Sequence, residues 1–199
     1  MTAERPALSE FTIARRAMID SQLRVSGVNE DFVVAAMNRV AREDFVPDAA
    51  RGHAYIDRAI PLENGRALAA PLFHGRLLSE AAPTTSDNAL LVSCGSGYLA
   101  ALIEPLVGTL DVIDAADAGL KRKKGGYTLL LIDGAVEALP DALISQLAEN
   151  GRIVTGLIAR GVTRLASGRK LGGQVSLSSL AELGIPVLRE FAAPKRWSF

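Results

Sequence analysis

Ala89-Leu90-Leu91-Val92-Ser93-Cys94-Gly95-Ser96-Gly97-Tyr98 is the stretch that decides the fold. A short apolar run suited to a buried strand meets a glycine-rich turn, and a helix follows from Tyr98 to Val107. Strand, glycine loop and helix in that order let the backbone approach a ligand closely. Gly108 closes the helix, and Leu110-Asp111-Val112-Ile113-Asp114 reads as a second strand ending on an acid. Asp114 stands about 20 residues past the loop, where a carboxylate accepts ribose hydroxyls in nucleotide-binding α/β folds. A Gly-x-Gly loop alone is more often a packing turn than a cofactor site. The agreement of strand, loop, helix and acid makes Cys94, Gly95, Ser96, Gly97, Tyr98 and Asp114 candidates for cofactor binding.

Downstream, Tyr127 to Ile132 is a nearly continuous apolar strand, as expected of one buried on both faces of a parallel sheet, with Asp133-Gly134 at its carboxyl end. A helix is expected from Pro140 through Leu143, Ile144 and Leu147 to Asn150-Gly151, after which Arg152-Ile153-Val154-Thr155 resumes the sheet. From Val162 the glycines at 168, 172 and 173 separate segments fit for an antiparallel hairpin, and Trp197 and Phe199 are expected to pack on the sheet.

Upstream, Leu8 to Gly27 reads as an amphipathic helix with a glycine stop, and a second helix, capped by Asn29, carries Phe32, Val33, Ala36, Met37 and Val40. Pro61, Gly65 and Pro71 break the segment from Tyr55 to Pro71 into a surface loop, and Leu72 to Ala82 reads as a further helix. The expectation is an α/β fold with a mostly parallel sheet in one domain over 1–199. Residues 1–82 form its helical and loop region; 83–199 form a Rossmann-like core and hairpin.

With 199 residues the chain can bury a substantial core, and its Lys+Arg and Asp+Glu counts are both 22. Balanced charge gives no field to favour nucleic acid. The basic run Lys121-Arg122-Lys123-Lys124 is short and reads as a solvated loop. No apolar stretch approaches a membrane span or a signal peptide, and the lone Cys94 fits a reducing compartment, so a cytoplasmic setting is expected. The two histidines, His53 and His74, lack metal-ligand spacing or an obvious carboxylate partner and read as surface or loop residues; no metal site is expected.

Met18-Ile19-Asp20-Ser21-Gln22-Leu23-Arg24 with Gly27-Val28, Ala36-Met37-Asn38-Arg39-Val40 with Phe45-Val46-Pro47, and Ala54-Tyr55-Ile56-Asp57-Arg58 follow one another in an order and spacing that resembles the protein-L-isoaspartate O-methyltransferase family. The likeness continues through Gly65, Pro71, the Gly-Ser-Gly-Tyr loop, Asp114, the strand from Tyr127, Pro140, and Leu147 with Gly151-Arg152-Ile153-Val154. The resemblance implies a Rossmann-like fold that uses S-adenosylmethionine to methylate isoaspartyl carboxylates of damaged proteins. It also implies that Asp57, Arg58, Gly65 and Pro71 belong to the loop that faces the isoaspartyl peptide. Such a transfer asks mainly for alignment and exclusion of water, because the methyl arrives activated.

The departures from that pattern fall at the site. Ala67 and Ala69 stand where the family has a Thr and a Ser, and Leu91 and Ser93 replace an acidic residue and a glycine. Only twelve residues, Ala115 to Gly126, separate Asp114 from Tyr127, where the family inserts a helix, a third strand and an adenine-contacting turn. One strand-helix unit is therefore expected to be lacking. Cofactor binding and turnover should be weak or lost, and a catalytically inactive binding or structural protein is the alternative. Cys94 reads as a small buried loop residue or a reactive thiol. Asp57 and Arg58 shape the groove or form an exposed ion pair, and Asp133 either replaces a lost polar contact or caps the next turn.

Overall fold

The structure, a computed structural model, describes residues 9–62, 65–120 and 125–193. Its centre is a sheet of β3 (Asn88–Ser93), β4 (Thr109–Asp114), β5 (Tyr127–Val136), β6 (Leu147–Ala159), β7 (Val162–Leu171) and β8 (Gln174–Glu182), ordered β4-β3-β5-β6-β7-β8. The pairs β3 with β4, β3 with β5 and β5 with β6 are parallel; β7 and β8 add antiparallel. The apolar runs follow from burial on both faces. Leu91, Leu129, Leu131 and Val154 join one core with the N-terminal helices, while their neighbours Leu90, Leu130, Ile132 and Ile153 join a second core on the other face.

The first face is covered by α1 (Glu10–Met18), α2 (Asp31–Arg39), α3 (Pro71–Ala81) and α4 (Tyr98–Ile103), which supply Met18, Val33, Met37, Phe73, Leu77 and Leu99. Ser9 caps α1, whose path continues through a π turn at Ile19–Leu23 and a 3-10 turn to Gly27, left-handed at φ 83°. The second helix begins at Asp31, and Glu30, not Asn29, holds its cap position. The second face is thinner: α5 (Asp141–Gln146) brings Leu143, and the tail brings Leu188 and Phe191.

Three expectations change. The segment from Tyr55 to Pro71 is not wholly irregular, because β1 (Ile60–Pro61) and β2 (Ala67–Leu68) pair antiparallel. The helix after Pro140 stops at Gln146 rather than running to Gly151: Leu147 is buried opposite Tyr127, and the Gly126 N–H bonds the Gln146 carbonyl at 2.8 Å, so the chain enters the sheet there. The helix after the glycine loop ends at Ile103 and gives way to a 3-10 turn, Glu104–Leu106.

Among the described residues no strand lies between β4 and β5. The chain leaves Asp114 through a 3-10 turn, Ala115–Asp117, and Ala118 packs into the second core. Gly172 and Gly173, at φ 59° and 80°, close the β7–β8 hairpin, for which left-handed backbone is needed. Lys121-Arg122-Lys123-Lys124, Trp197 and Phe199 lie outside the described residues.

Candidate functional site

The order of strand addition reverses at β3: β4 is laid down on one side of it and β5 on the other. Ligands in open α/β sheets bind outside the carboxyl ends of the strands at such a switch point. Here that place holds a cavity of about 490 Å³, lined by Asp44 to Pro47, Leu62, Arg66, Cys94 to Ser96 and Asp114. The volume falls within the range of small-molecule sites. Gly95 and Gly97, at φ +94° and +78°, turn the chain from β3 into α4. A Cβ built on Gly95 meets only the Arg66 guanidinium, at 3.5 Å, so the space above the loop is closed by a side-chain tip and not by backbone.

Arg66 dominates the mouth. Its Nη1 and Nη2 donate to the two Asp114 oxygens at 2.6 Å each, and its Nε and Nη2 donate to Glu190 Oε1 at 3.1 and 2.7 Å. The Arg66 fork and the Ala116 N–H hold the Asp114 carboxyl at about 2, well below the usual carboxylate range. The loop is partly self-satisfied: Ser93 Oγ accepts from the Gly95 N–H at 2.9 Å, and Ser96 Oγ from the Tyr98 N–H at 3.2 Å.

Behind the loop lies a buried polar chain. Asp133 Oδ1 faces His74 Nε2 at 2.9 Å, Asp133 Oδ2 accepts from Cys94 Sγ at 3.0 Å, and Arg42 Nη1 reaches His74 Nδ1 at 3.4 Å. Arg42 also donates to the Ala54 and Ala69 carbonyls at 2.7 and 2.5 Å and lies over the Tyr98 ring. His74 is therefore no surface or loop histidine: it is fully buried with a carboxylate partner. Asp133 neither faces the cavity nor caps a turn, for it lies within β5 and is buried. Burial, with Asp133 beside it, pushes the Cys94 thiol up to about 12, which removes it as a thiolate nucleophile at neutral pH.

The remaining candidates spread out. Asp57 and Arg58 are exposed, and Asp57 Oδ1 accepts the Leu72 N–H at 3.3 Å, at the start of α3. His53 is exposed. Gly65 is left-handed at φ +71°, Pro71 opens α3, and Ala67 and Ala69 lie in and just beyond β2, Ala69 buried. Tyr98 packs inward against Phe45 and His74 instead of facing the cavity. The sequence alone marked neither Arg66, Glu190 nor Asp44 as site residues, and Phe45, Val46 and Pro47 entered only through the family resemblance. A charged residue beside Gly65 was the available signal for Arg66. Among the described residues no group of acidic, histidine or cysteine side chains is placed to hold a metal ion, and no helix is long and apolar enough to cross a membrane.

A mostly parallel sheet with a glycine loop after one strand, an acid ending its neighbour and a cavity between them places the fold in the Rossmann-like class of α/β proteins. A family model for protein-L-isoaspartate(D-aspartate) O-methyltransferases matches residues 14–117. A protein-L-isoaspartate O-methyltransferase of Koribacter versatilis is 31% identical over 203 residues, covering 89% of this chain and 91% of the relative. One from Methanoculleus marisnigri is 26% identical, with 89% and 92% covered. A Plasmodium falciparum protein described as a protein-L-isoaspartate O-methyltransferase, crystallised with S-adenosyl-L-homocysteine, superposes with a TM-score of 0.72 at 17% identity, covering 92% of this chain and 100% of that one. The chain belongs to the protein-L-isoaspartate O-methyltransferase family.

Proposed function

We propose that this chain binds S-adenosylmethionine at the glycine loop and methylates isoaspartyl carboxylates of damaged proteins, with turnover reduced by its altered loop. The observation that carries the reading is the cavity shared by Gly95, Ser96 and Asp114 at the carboxyl ends of β3 and β4. The residues present fit the cofactor: only the tip of the Arg66 side chain stands over Gly95, Asp114 ends β4 as a diol acceptor, and Phe45, Pro47 and Leu62 line the cavity with apolar surface. When bound, the cofactor supplies a methyl group already activated on its sulfonium.

The chain's own task is then alignment. Ala67 and Ala69 offer no hydroxyl to hold the acceptor carboxylate, and the Ala69 carbonyl is engaged by Arg42. Each missing hydrogen bond to a charged group costs about 1.5 to 3 kcal/mol, roughly ten- to a hundredfold in affinity or rate. The same two alanines, with only twelve residues between Asp114 and Tyr127, favour the second reading, a catalytically inert binding module. The unpaired Cys94 fits a cytoplasmic setting, and the balanced charge gives no case for nucleic acid.

Calorimetric titration with S-adenosylmethionine, followed by a methyl-transfer assay on an isoaspartyl peptide, tests the reading. Binding that is lost in Asp114→Ala, with transfer above the no-enzyme background, is the expected result. Binding without transfer would leave the inert module, and no binding at millimolar cofactor would end the methyltransferase reading.

A further inference from the structure

Resting on the proposed cofactor site, the geometry points to a role for Arg66 that the family resemblance does not supply: Arg66 is a latch that occupies the cofactor's place, and ligand entry requires the Arg66–Asp114 pair to open.

Four observations carry it. Two carboxylates line the cavity, Asp44 and Asp114; Asp114 is the one that ends β4, and both of its oxygens are taken by one guanidinium in a fork-to-fork pair. The same guanidinium lies over Gly95, at the one spot where the loop is otherwise open. Arg66 keeps a second anchor, Glu190, from the C-terminal segment that follows the sheet, so it can release Asp114 without losing a carboxylate partner. Finally, the Arg66 carbonyl accepts the Leu62 N–H at 2.8 Å beside the short β1–β2 ladder, so the backbone stays held while the long side chain swings from one carboxylate to the other.

A guanidinium clamped on the diol acceptor competes with any ribose for it. The apparent affinity for cofactor is the intrinsic affinity reduced by the fraction of molecules with Asp114 free. Opening moves Arg66 wholly onto Glu190, and the cofactor's hydroxyls take the two Asp114 oxygens. The Phe45 to Pro47 wall and the glycine loop need not move.

The test is calorimetric titration of S-adenosylhomocysteine into wild type, Arg66→Met and Arg66→Lys, with circular dichroism to verify the fold. Arg66→Met keeps the apolar stem and removes the clamp, so it should bind about tenfold more tightly than wild type or better. Arg66→Lys keeps the charge but loses the fork, and should fall between them. Rising salt should tighten wild-type binding by screening the latch and leave Arg66→Met without that gain. If wild type binds and both variants bind equally or more weakly, the latch is overturned while the cofactor reading stands. If none of the three binds and all are folded, both are overturned.

Discussion

Asp133 accepts hydrogen bonds from two side chains at once, and the protonation of its neighbours follows from that. Arg42 only donates, so His74 Nδ1 must accept from it, and His74 Nε2 then carries the hydrogen given to Asp133. His74 is thus neutral. Burial lowers its pKa from the ordinary 6.5 and outweighs Asp133, which acts to raise it; Arg42 lowers it further. The native state therefore takes up a proton on His74 less readily than the unfolded chain does. Stability rises with pH where the unfolded state binds more protons, so this contribution is complete above the ordinary value and is lost as the pH falls through it. His74→Gln, neutral and still able to donate to Asp133, should flatten the slope of unfolding free energy between about pH 7 and pH 5. It should also cost about 1 to 3 kcal/mol at neutral pH. Urea titrations at several pH values measure both, and an unchanged slope would show that His74 is not the group that titrates.

At the scale of elements, Asp87 ties β5 and β6 to the turn that precedes β3. Arg152 of β6 pairs with it at 2.8 and 2.7 Å, Thr128 of β5 donates at 2.7 Å, and the Thr84 N–H donates at 2.8 Å, just before β3. Arg152 also donates to the Ala81 and Ala82 carbonyls, which α3 leaves without helical partners. Burial of Asp87 acts to raise its pKa, but Arg152, Thr128 and the Thr84 N–H together hold the carboxyl well below the ordinary 3.8. A depressed carboxylate stabilises the fold above its unfolded pKa and loses that contribution as the pH falls below it. Asp87→Asn should therefore destabilise by about 3 kcal/mol at neutral pH, because Arg152 keeps a charge without its partner. The deficit should shrink steadily below the ordinary value of 3.8, and thermal unfolding of wild type and variant across that range measures it. A deficit that stays constant into strong acid would mean that the loss lies in packing and not in charge.

For the whole molecule, what the sequence showed divides by separation along the chain. The β3, glycine-loop, α4 and β4 unit and the path from Tyr127 were legible because local spacing dictates them: double-sided burial writes an unbroken apolar run, and the loop and its acid sit about 20 residues apart. The end of α5 was not, because Leu147 continues a helical spacing and only its pairing with Tyr127 makes it a strand residue. The side-chain chemistry was least legible. Arg66 meets Asp114 across 48 positions and Glu190 across 124, and His74 meets Asp133 across 59, separations at which periodicity carries no signal. The same long reach makes one prediction about cooperativity. Met18, Leu23, Val33 and Met37 from the N-terminal helices share a single core with Leu91, Leu129 and Val154 of the sheet, so neither part buries its apolar face alone. The 1–82 region and the 83–199 region should then unfold as one unit. Native-state hydrogen exchange under rising urea should show the buried amides of α2 and β5 converging on one opening free energy. A plateau for α2 several kcal/mol below that of β5 would mean that the helical region opens by itself over an intact sheet.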